Sequence, residues 1–166
     1  MNKIDPTIAQ FNKIVDLRLS PTVVNGIDLE IECAKIFNPH MTEEEILDLP
    51  INKFNQISNI SWIENAVPIE SFALHGVIWK YKRRPKTTGY NLSIGQTREV
   101  MQAIAAAPDK WRYLNYVLNV LYEPQSSVED PLTRLLDAKL SWVMPFVYQV
   151  RSQPGEPILK QLKIQY

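Results

Sequence analysis

Apolar residues recur at helical spacing over most of this chain. Near its start they repeat every three to four positions from Ile8 to Leu19, which is the pattern of one buried helix face. This spacing predicts a helix over 6–19. Comparable stripes predict six further helices, over 27–37, 42–49, 51–62, 94–107, 109–122 and 131–145.

Twelve prolines and only five glycines mark the limits of these helices. Proline interrupts a helix interior but fits its first turn and the positions just past its end. Asp5-Pro6 and Asp130-Pro131 are therefore typical of an N-cap followed by the first helical residue. Ser93 and Gln96 have the spacing of a capping box. Pro145 is expected to kink or stop the last long helix.

Between Ile69 and Lys82 the apolar period changes from helical to alternating. This change predicts a β-hairpin that turns near His75-Gly76, or one long bent strand. If the alternation is counted from Ile69 to Lys82 without a change of phase at the turn, it puts Phe72 and Trp79 on opposite faces. A hairpin is marginal in water by itself, so we expect it to pack on the helices or to pair with another chain.

These elements predict a mainly α fold of the α+β class, with about six or seven short helices and one β-hairpin. We expect one compact domain over residues 1–166. Its parts are a helical part over 1–66, the hairpin over 69–84, a second helical part over 93–153 and a tail over 154–166. Residues 123–127 are expected to form a loop. The pattern from Ile158 to Tyr166 fits either a strand or a short helix.

Composition narrows the class of protein. The chain is 45% hydrophobic, which is too much for a disordered protein, and its apolar runs are too short for a membrane span. Eighteen basic residues balance eighteen acidic ones, which argues against a general polyanion binder. The first eighteen residues lack the pattern of a secretory signal, so we expect the protein to act in a reducing cytoplasm.

The residues with chemical potential do not form a known catalytic or metal-binding pattern. His40 and His75 are 35 positions apart and lack the spacing of zinc ligands. Cys33 lies on an apolar helix face beside Glu30 and Glu32, which would raise the pKa of its thiol. The acidic run Glu43–Asp48 fits a helix first turn better than a cation site. We therefore expect no enzyme activity, no metal and no cofactor.

One segment concentrates positive charge. Five of the eighteen basic residues fall within seven positions: Lys80, Lys82, Arg83, Arg84 and Lys86. Such a segment could contact phosphate, with Trp79 and Tyr81 stacking on bases. It could equally be a solvated hairpin end that resists aggregation, or a contact for an acidic protein surface. The rest of the chain offers no basic surface to extend a nucleic-acid track, so we favour the hairpin end or a protein partner.

The helix predicted over 109–122 is rich in aromatic residues, which serve either as core or as binding anchors. Trp111, Leu114 and Leu118 fit its buried face. Tyr113 and Tyr116 lie off that line. We therefore predict that these two tyrosines, with the five basic residues, contact a partner.

Two sequence runs, NLSIGQTREVMQAI and PDKWRYLNYVLNVLYEP, follow the apolar strand and its basic end. Together the stretch from Phe72 to Pro124 resembles small proteins of tailed bacteriophages, particularly phages of Bacteroides-type hosts. In that family a short β element is followed by a helix that starts with L-[TS]-x-x-Q and by a helix that ends in L-x-V-L-[YL]-x-P. The upstream run EEEILDLPINKFNQI fits the same pattern. The matching positions are Leu92, Ser93, Gln96, Leu118, Val120, Leu121, Tyr122 and Pro124.

The resemblance covers about half of the chain and carries no catalytic residues. It implies a tail-assembly chaperone or a minor virion component, located in the virion or in the host bacterial cytoplasm. The implied partners are other phage proteins and further copies of this chain, with no membrane and no small-molecule substrate. The alternative is a small nucleic-acid-binding or regulatory protein that uses the basic hairpin.

Overall fold

The fold is a bundle of short helices around a small antiparallel sheet. The computed structural model describes residues 3–20, 26–85, 87–109 and 112–151. Within these ranges the helices are α1 (Ile8–Leu19), α2 (Gly26–Phe37), α3 (Glu43–Leu47), α4 (Ile51–Ser58), α5 (Ile94–Ala106), α6 (Leu114–Leu121), α7 (Pro131–Arg134) and α8 (Leu140–Arg151). Two 3₁₀ turns, Ser61–Asn65 and Leu135–Asp137, and the strands β1 (Ser71–Leu74), β2 (Val77–Tyr81) and β3 (Tyr122–Pro124) complete it. The predicted mainly α fold of the α+β class is confirmed.

Some predictions fall outside these ranges, namely those for Lys86, Trp111 and the tail over 154–166. In the part of the chain that is described, no helix combines the length and the apolar content needed to cross a bilayer.

Side chains of neighbouring residues cap α1, α3, α5 and α7. Ser93 and Gln96 form the expected capping box of α5, and Asp130 caps α7 ahead of its first-turn proline. The cap predicted for α1 is wrong, because Thr7 and Gln10 form that capping box. Asp5 instead accepts hydrogen bonds at the start of α8, from the Ser141 backbone N–H at 3.1 Å and from its hydroxyl at 2.6 Å.

The hairpin turns at His75-Gly76, as one of the two predicted alternatives states. Both residues have positive φ, 50° and 75°, which is the geometry of the two-residue turn that suits right-twisted strands. This turn pairs Phe72 with Trp79 across β1 and β2, so the two side chains share one face and both are buried. The prediction of opposite faces is wrong, because a two-residue turn reverses the strand and changes the phase of the alternation.

A third strand takes up the first two residues of the loop predicted over 123–127, and the other three remain a loop. After α6 ends at Leu121, β3 pairs antiparallel with β2, with Tyr122 opposite Tyr81 and Pro124 opposite Trp79. The sheet order is β1-β2-β3. Tyr122 is fully buried, and its hydroxyl donates to the Ile69 carbonyl at 2.7 Å.

The main core lies between the inner face of the sheet and the helices α6 and α8. Aromatic rings fill it: Phe72 stacks on Trp142 at 4.4 Å between ring centroids, and Tyr81 stacks on Phe146 at 5.4 Å. A smaller cluster joins α2, α3 and α4 through buried side chains, Ala34, Ile46 and Phe54.

Three helices differ from the predicted limits. The helix predicted over 51–62 ends at Ser58, and a 3₁₀ turn over Ser61–Asn65 follows it. The stretch predicted as one helix over 131–145 is divided into α7, a 3₁₀ turn and α8. Pro145 lies inside α8 and does not stop it. Its neighbours Met144 and Phe146 are fully buried, so packing on both sides of the proline offsets the hydrogen bond that it cannot donate. The helix predicted from 109 begins only at Leu114.

Candidate functional site

The basic segment leaves the sheet at the end of β2 and runs along α5. Lys80 is exposed on the outer face of the sheet, opposite Glu123 of β3. The ammonium group of Lys82 lies 3.4 Å from the Asn119 carbonyl at the end of α6. Of these two lysines, Lys82 therefore lies close to a group that accepts hydrogen bonds.

Arg83 is paired with a carboxylate on the chain that enters β1. Its Nη2 lies 2.5 Å from Glu70 Oε2, and its guanidinium lies 5.3 Å from the centre of the Tyr90 ring. The Tyr90 hydroxyl also donates to Glu70 Oε2 at 3.2 Å. Hydrogen bonding from Arg83 lowers the pKa of Glu70 below its ordinary value. This carboxylate is therefore ionised at neutral pH and offsets the arginine charge.

Arg84 is paired in the same way with α5. Its Nη2 donates to both carboxylate oxygens of Glu99, at 2.8 Å and 3.0 Å. Exposed ion pairs add little stability, but they reduce the net positive charge that a phosphate would meet. Of the described basic residues in this segment, only Lys80 and Lys82 have no carboxylate within ion-pair distance.

The aromatic residues expected to stack on bases point into the core. Trp79 is 1% exposed and Tyr81 is 4% exposed. Both rings pack against other aromatic side chains, such as Phe72 and Phe146. The prediction that they are available for stacking is wrong, because both lie on the inner face of the hairpin.

Gln96 attaches the basic segment to the start of α5. Its side chain is 1% exposed. The side-chain oxygen accepts from the Ser93 N–H at 3.1 Å, and Nε2 donates to the Lys82 carbonyl at 3.0 Å and to the Tyr81 hydroxyl at 3.3 Å. The sequence predicted the capping bond. The hydrogen bonds to Tyr81 and Lys82 depend on how the hairpin packs against α5, and no pattern of neighbouring residues in the sequence predicts them.

The two tyrosines predicted as partner contacts lie in different environments. Tyr113 is 2% exposed and belongs to the main core, so its prediction as an interface residue is wrong. The error arises because α6 begins at Leu114, which leaves Tyr113 at the N-cap position with its own side-chain direction. Tyr116 is half-buried on α6.

The outer face of α5 carries an open apolar surface that the sequence did not predict. Ile94 is 89% exposed and Met101 is 58% exposed. The residues that line this surface, called the α5 groove below, are Ile94, Thr97, Arg98, Met101, Gln102 and Ala105. In the fold Val100 and Gln96 face the core, which turns Met101 outward.

A second, more polar groove lies beside α4. Asn52, Asn55 and Gln56 line it together with Lys3 and Trp62. The Lys3 ammonium lies 5.3 Å from the Trp62 ring centre, and the indole N–H donates to the Ile4 carbonyl at 2.7 Å. One face of the indole is therefore covered by the chain itself, and its donor is already used.

The remaining candidate groups for chemistry are dispersed. Burial raises the pKa of Cys33 to about 11, with Glu30 and Glu32 adding to the increase, in the predicted direction. His75 lies 2.7 Å from Asp137 Oδ2 and links the hairpin turn to a 3₁₀ turn. Across residues 3–20, 26–85, 87–109 and 112–151, no three His, Cys, Asp or Glu side chains come together as a metal site would require.

No family model, curated protein or solved structure matches this chain. What the protein does is therefore inferred from its own surfaces and from the resemblance of the stretch Phe72 to Pro124.

Proposed function

We propose that this protein is a non-enzymatic bacteriophage protein that acts by protein–protein contact. It would serve either as a minor virion component or as an assembly factor. As a virion component it would belong to the tail or neck, or be packaged inside the particle. Its partners would be other phage proteins and further copies of itself, in the virion or in the host bacterial cytoplasm.

The α5 groove is the observation that carries this proposal. Ile94 and Met101 lie one above the other on a helix whose other face is packed in the fold. Two large apolar side chains left exposed on one helix face are candidates for a contact site, because leaving them in water is unfavourable. Arg98 and Gln102 border the apolar side chains, as a polar rim borders the centre of many interfaces.

The charges near the groove favour a protein partner over a nucleic acid. Arg84 bonded to Glu99 brings the basic segment alongside α5, and Arg83 is bonded to Glu70. A nucleic acid would have to compete with both carboxylates for these arginines. A protein surface of mixed charge would contact the ion pairs without breaking them.

The resemblance supports the assignment to phages through the fold rather than through a site. Gln96, Leu118 and Leu121 are among its matching positions, and all three are buried. The shared motif therefore describes how α5, α6 and the sheet pack together. The contact surfaces of this chain are additional to that motif.

Counting copies in purified phage particles by quantitative mass spectrometry tests the proposal. Detection at a fixed ratio to the major capsid protein would identify a virion component. Absence from the particle, together with failed assembly when the gene is removed, would identify an assembly factor. Absence together with normal assembly would refute both.

A matched pair of variants then tests the role of the α5 groove. Met101→Asp places a charge in the groove, and Leu47→Asp places one at a similarly exposed position, 60%, on α3. If α5 contacts the partner, Met101→Asp lowers incorporation or assembly while the purified protein stays folded, and Leu47→Asp does not. Equal effects of the two variants would count against this surface.

A further inference from the structure

We infer that residues 152–166 bind in the α5 groove of their own chain and compete there with the partner protein. This inference rests on the proposed function, because it names what covers the contact surface before the partner arrives. Its support comes from where α8 ends, from the reach of the following segment and from the residues that the segment contains.

The end of α8 is fixed beside the start of α5. Gln149, two residues before the end of α8, accepts from the Leu92 N–H at 3.0 Å and donates to the Tyr90 carbonyl at 3.1 Å. Leu92 directly precedes the N-cap residue of α5. The end of α8 therefore lies near the start of α5, where Ile94 is the most exposed of the large apolar side chains described.

The length of the segment matches the groove. α5 has thirteen residues and is about 20 Å long at 1.5 Å per residue. The seven residues from 152 to 158 reach about 23 Å when extended. Apolar residues from Ile158 onward can therefore reach any point along the groove.

The segment carries the side chains that an apolar groove would bury. Four aliphatic residues lie within seven positions: Ile158, Leu159, Leu162 and Ile164. Glu156 precedes them and can meet the basic rim at Arg98. Because the segment is tethered beside the groove, its local concentration is on the order of millimolar. It therefore has an advantage over a second copy of the chain at ordinary concentrations.

Site-specific photocrosslinking in the full-length chain tests the inference. A benzoylphenylalanine in place of Gln102 lines the groove and leaves Ile94 and Met101 intact. After illumination of the purified protein, we expect a monomeric product in which this position is joined to a peptide from residues 152–166. The same probe at Leu47 on α3 is the control and should give no such product.

Two variants of the segment sharpen the result. Leu162→Asp should lower the crosslink yield about tenfold or more, since losing the burial of one leucine side chain corresponds to at least that factor. Gln161→Asp adds the same charge at the adjacent position and should leave most of the yield.

Other outcomes would overturn the inference. A crosslinked dimer would show that a second copy occupies the groove, and a yield no higher than that of the Leu47 probe would show that nothing from this chain does. Neither outcome touches the proposed function, which is tested separately by particle composition and by Met101→Asp. Conversely, a crosslink within the chain stands even if Met101→Asp has no effect on assembly.

Discussion

The side chain of Gln96 should contribute more to stability than any other capping residue of the fold. Substitution Gln96→Met keeps the length of the side chain but removes every hydrogen bond that it makes. Those bonds join three parts of the chain: the N-cap residue Ser93, the end of β2 at Tyr81 and the first residue of the basic segment, Lys82.

The size of the effect follows from these three bonds. A neutral hydrogen bond contributes about 0.5–1.5 kcal/mol net, and a buried group left without its partner costs about as much again. The Tyr81 ring is 4% exposed and Gln96 itself is 1% exposed, so water has little access to either end. The apolar methionine regains part of this loss by burial. We expect Gln96→Met to lower the free energy of unfolding by about 2–4 kcal/mol.

Urea unfolding of the full-length protein, followed by far-ultraviolet circular dichroism, measures this change. Gln102→Met is the control, because it makes the same substitution on the exposed face of the same helix. The control should change the free energy of unfolding by less than about 0.5 kcal/mol. If Gln96→Met changes it as little as Gln102→Met does, the buried hydrogen bonds do not hold the basic segment to α5.

Three further predictions concern two half-buried groups and one buried group. Asp5→Ala removes the carboxylate that caps α8 at Ser141 and should lower the free energy of unfolding by about 1–2 kcal/mol in urea titrations. Burial raises the pKa of Tyr122 well above its ordinary value of 10.0. The unfolded state therefore loses that proton first, and stability should fall as the pH rises above about 10. Tyr122→Phe should make this fall less steep in thermal unfolding at a series of pH values. Because burial raises the pKa of Cys33 from 9.0 to about 11, its thiol should react with iodoacetamide at pH 8 about 100-fold more slowly in the folded protein than in urea.

Each of these has a result that would contradict it. Asp5→Ala with unchanged stability would show that the start of α8 is satisfied without the carboxylate. An equally steep alkaline loss in Tyr122→Phe would assign it to other groups. A folded-state reaction of Cys33 as fast as in urea would show that the fold does not raise the pKa of its thiol.

The parts of the fold that sequence predicted are those set by neighbouring residues. The capping box of Ser93 and Gln96 and the turn at His75-Gly76 involve residues only one to three positions apart. Their side-chain or backbone preferences act in any context. Helix type and approximate length followed from the apolar period for the same reason.

The parts that sequence missed depend on distant contacts. β3 contains Tyr122, a glutamate and Pro124, and no local preference marks these residues as a strand. It forms because β2 offers an open edge where α6 ends. Asp5 looked like a cap for α1, but its partner Ser141 lies 136 positions away.

The candidate site was predictable only in part, for a related reason. The apolar side chains of α5 are not all buried in the core. The apolar spacing along the sequence does not determine which of them stay exposed to solvent. Ile94 and Met101 were left exposed once Val100 and Gln96 had turned inward. The half-buried Tyr116 and the five basic residues stay predicted contacts. One of these basic residues, Lys86, lies outside the described ranges.

The basic segment shows why charge counted along a sequence differs from charge met by a partner. Five basic residues in seven positions suit a polyanion as long as their counterions are in solution. Here Glu70 precedes Arg83 by thirteen positions and Glu99 follows Arg84 by fifteen, and the fold brings each glutamate onto its arginine. Replacing both glutamates with glutamine would return two free guanidinium groups to this surface. If non-specific DNA binding at low salt then appears in the double variant and is absent from the natural chain, the carboxylates are what keep this surface suited to proteins. If the natural chain binds DNA equally well, the ion pairs do not control that preference.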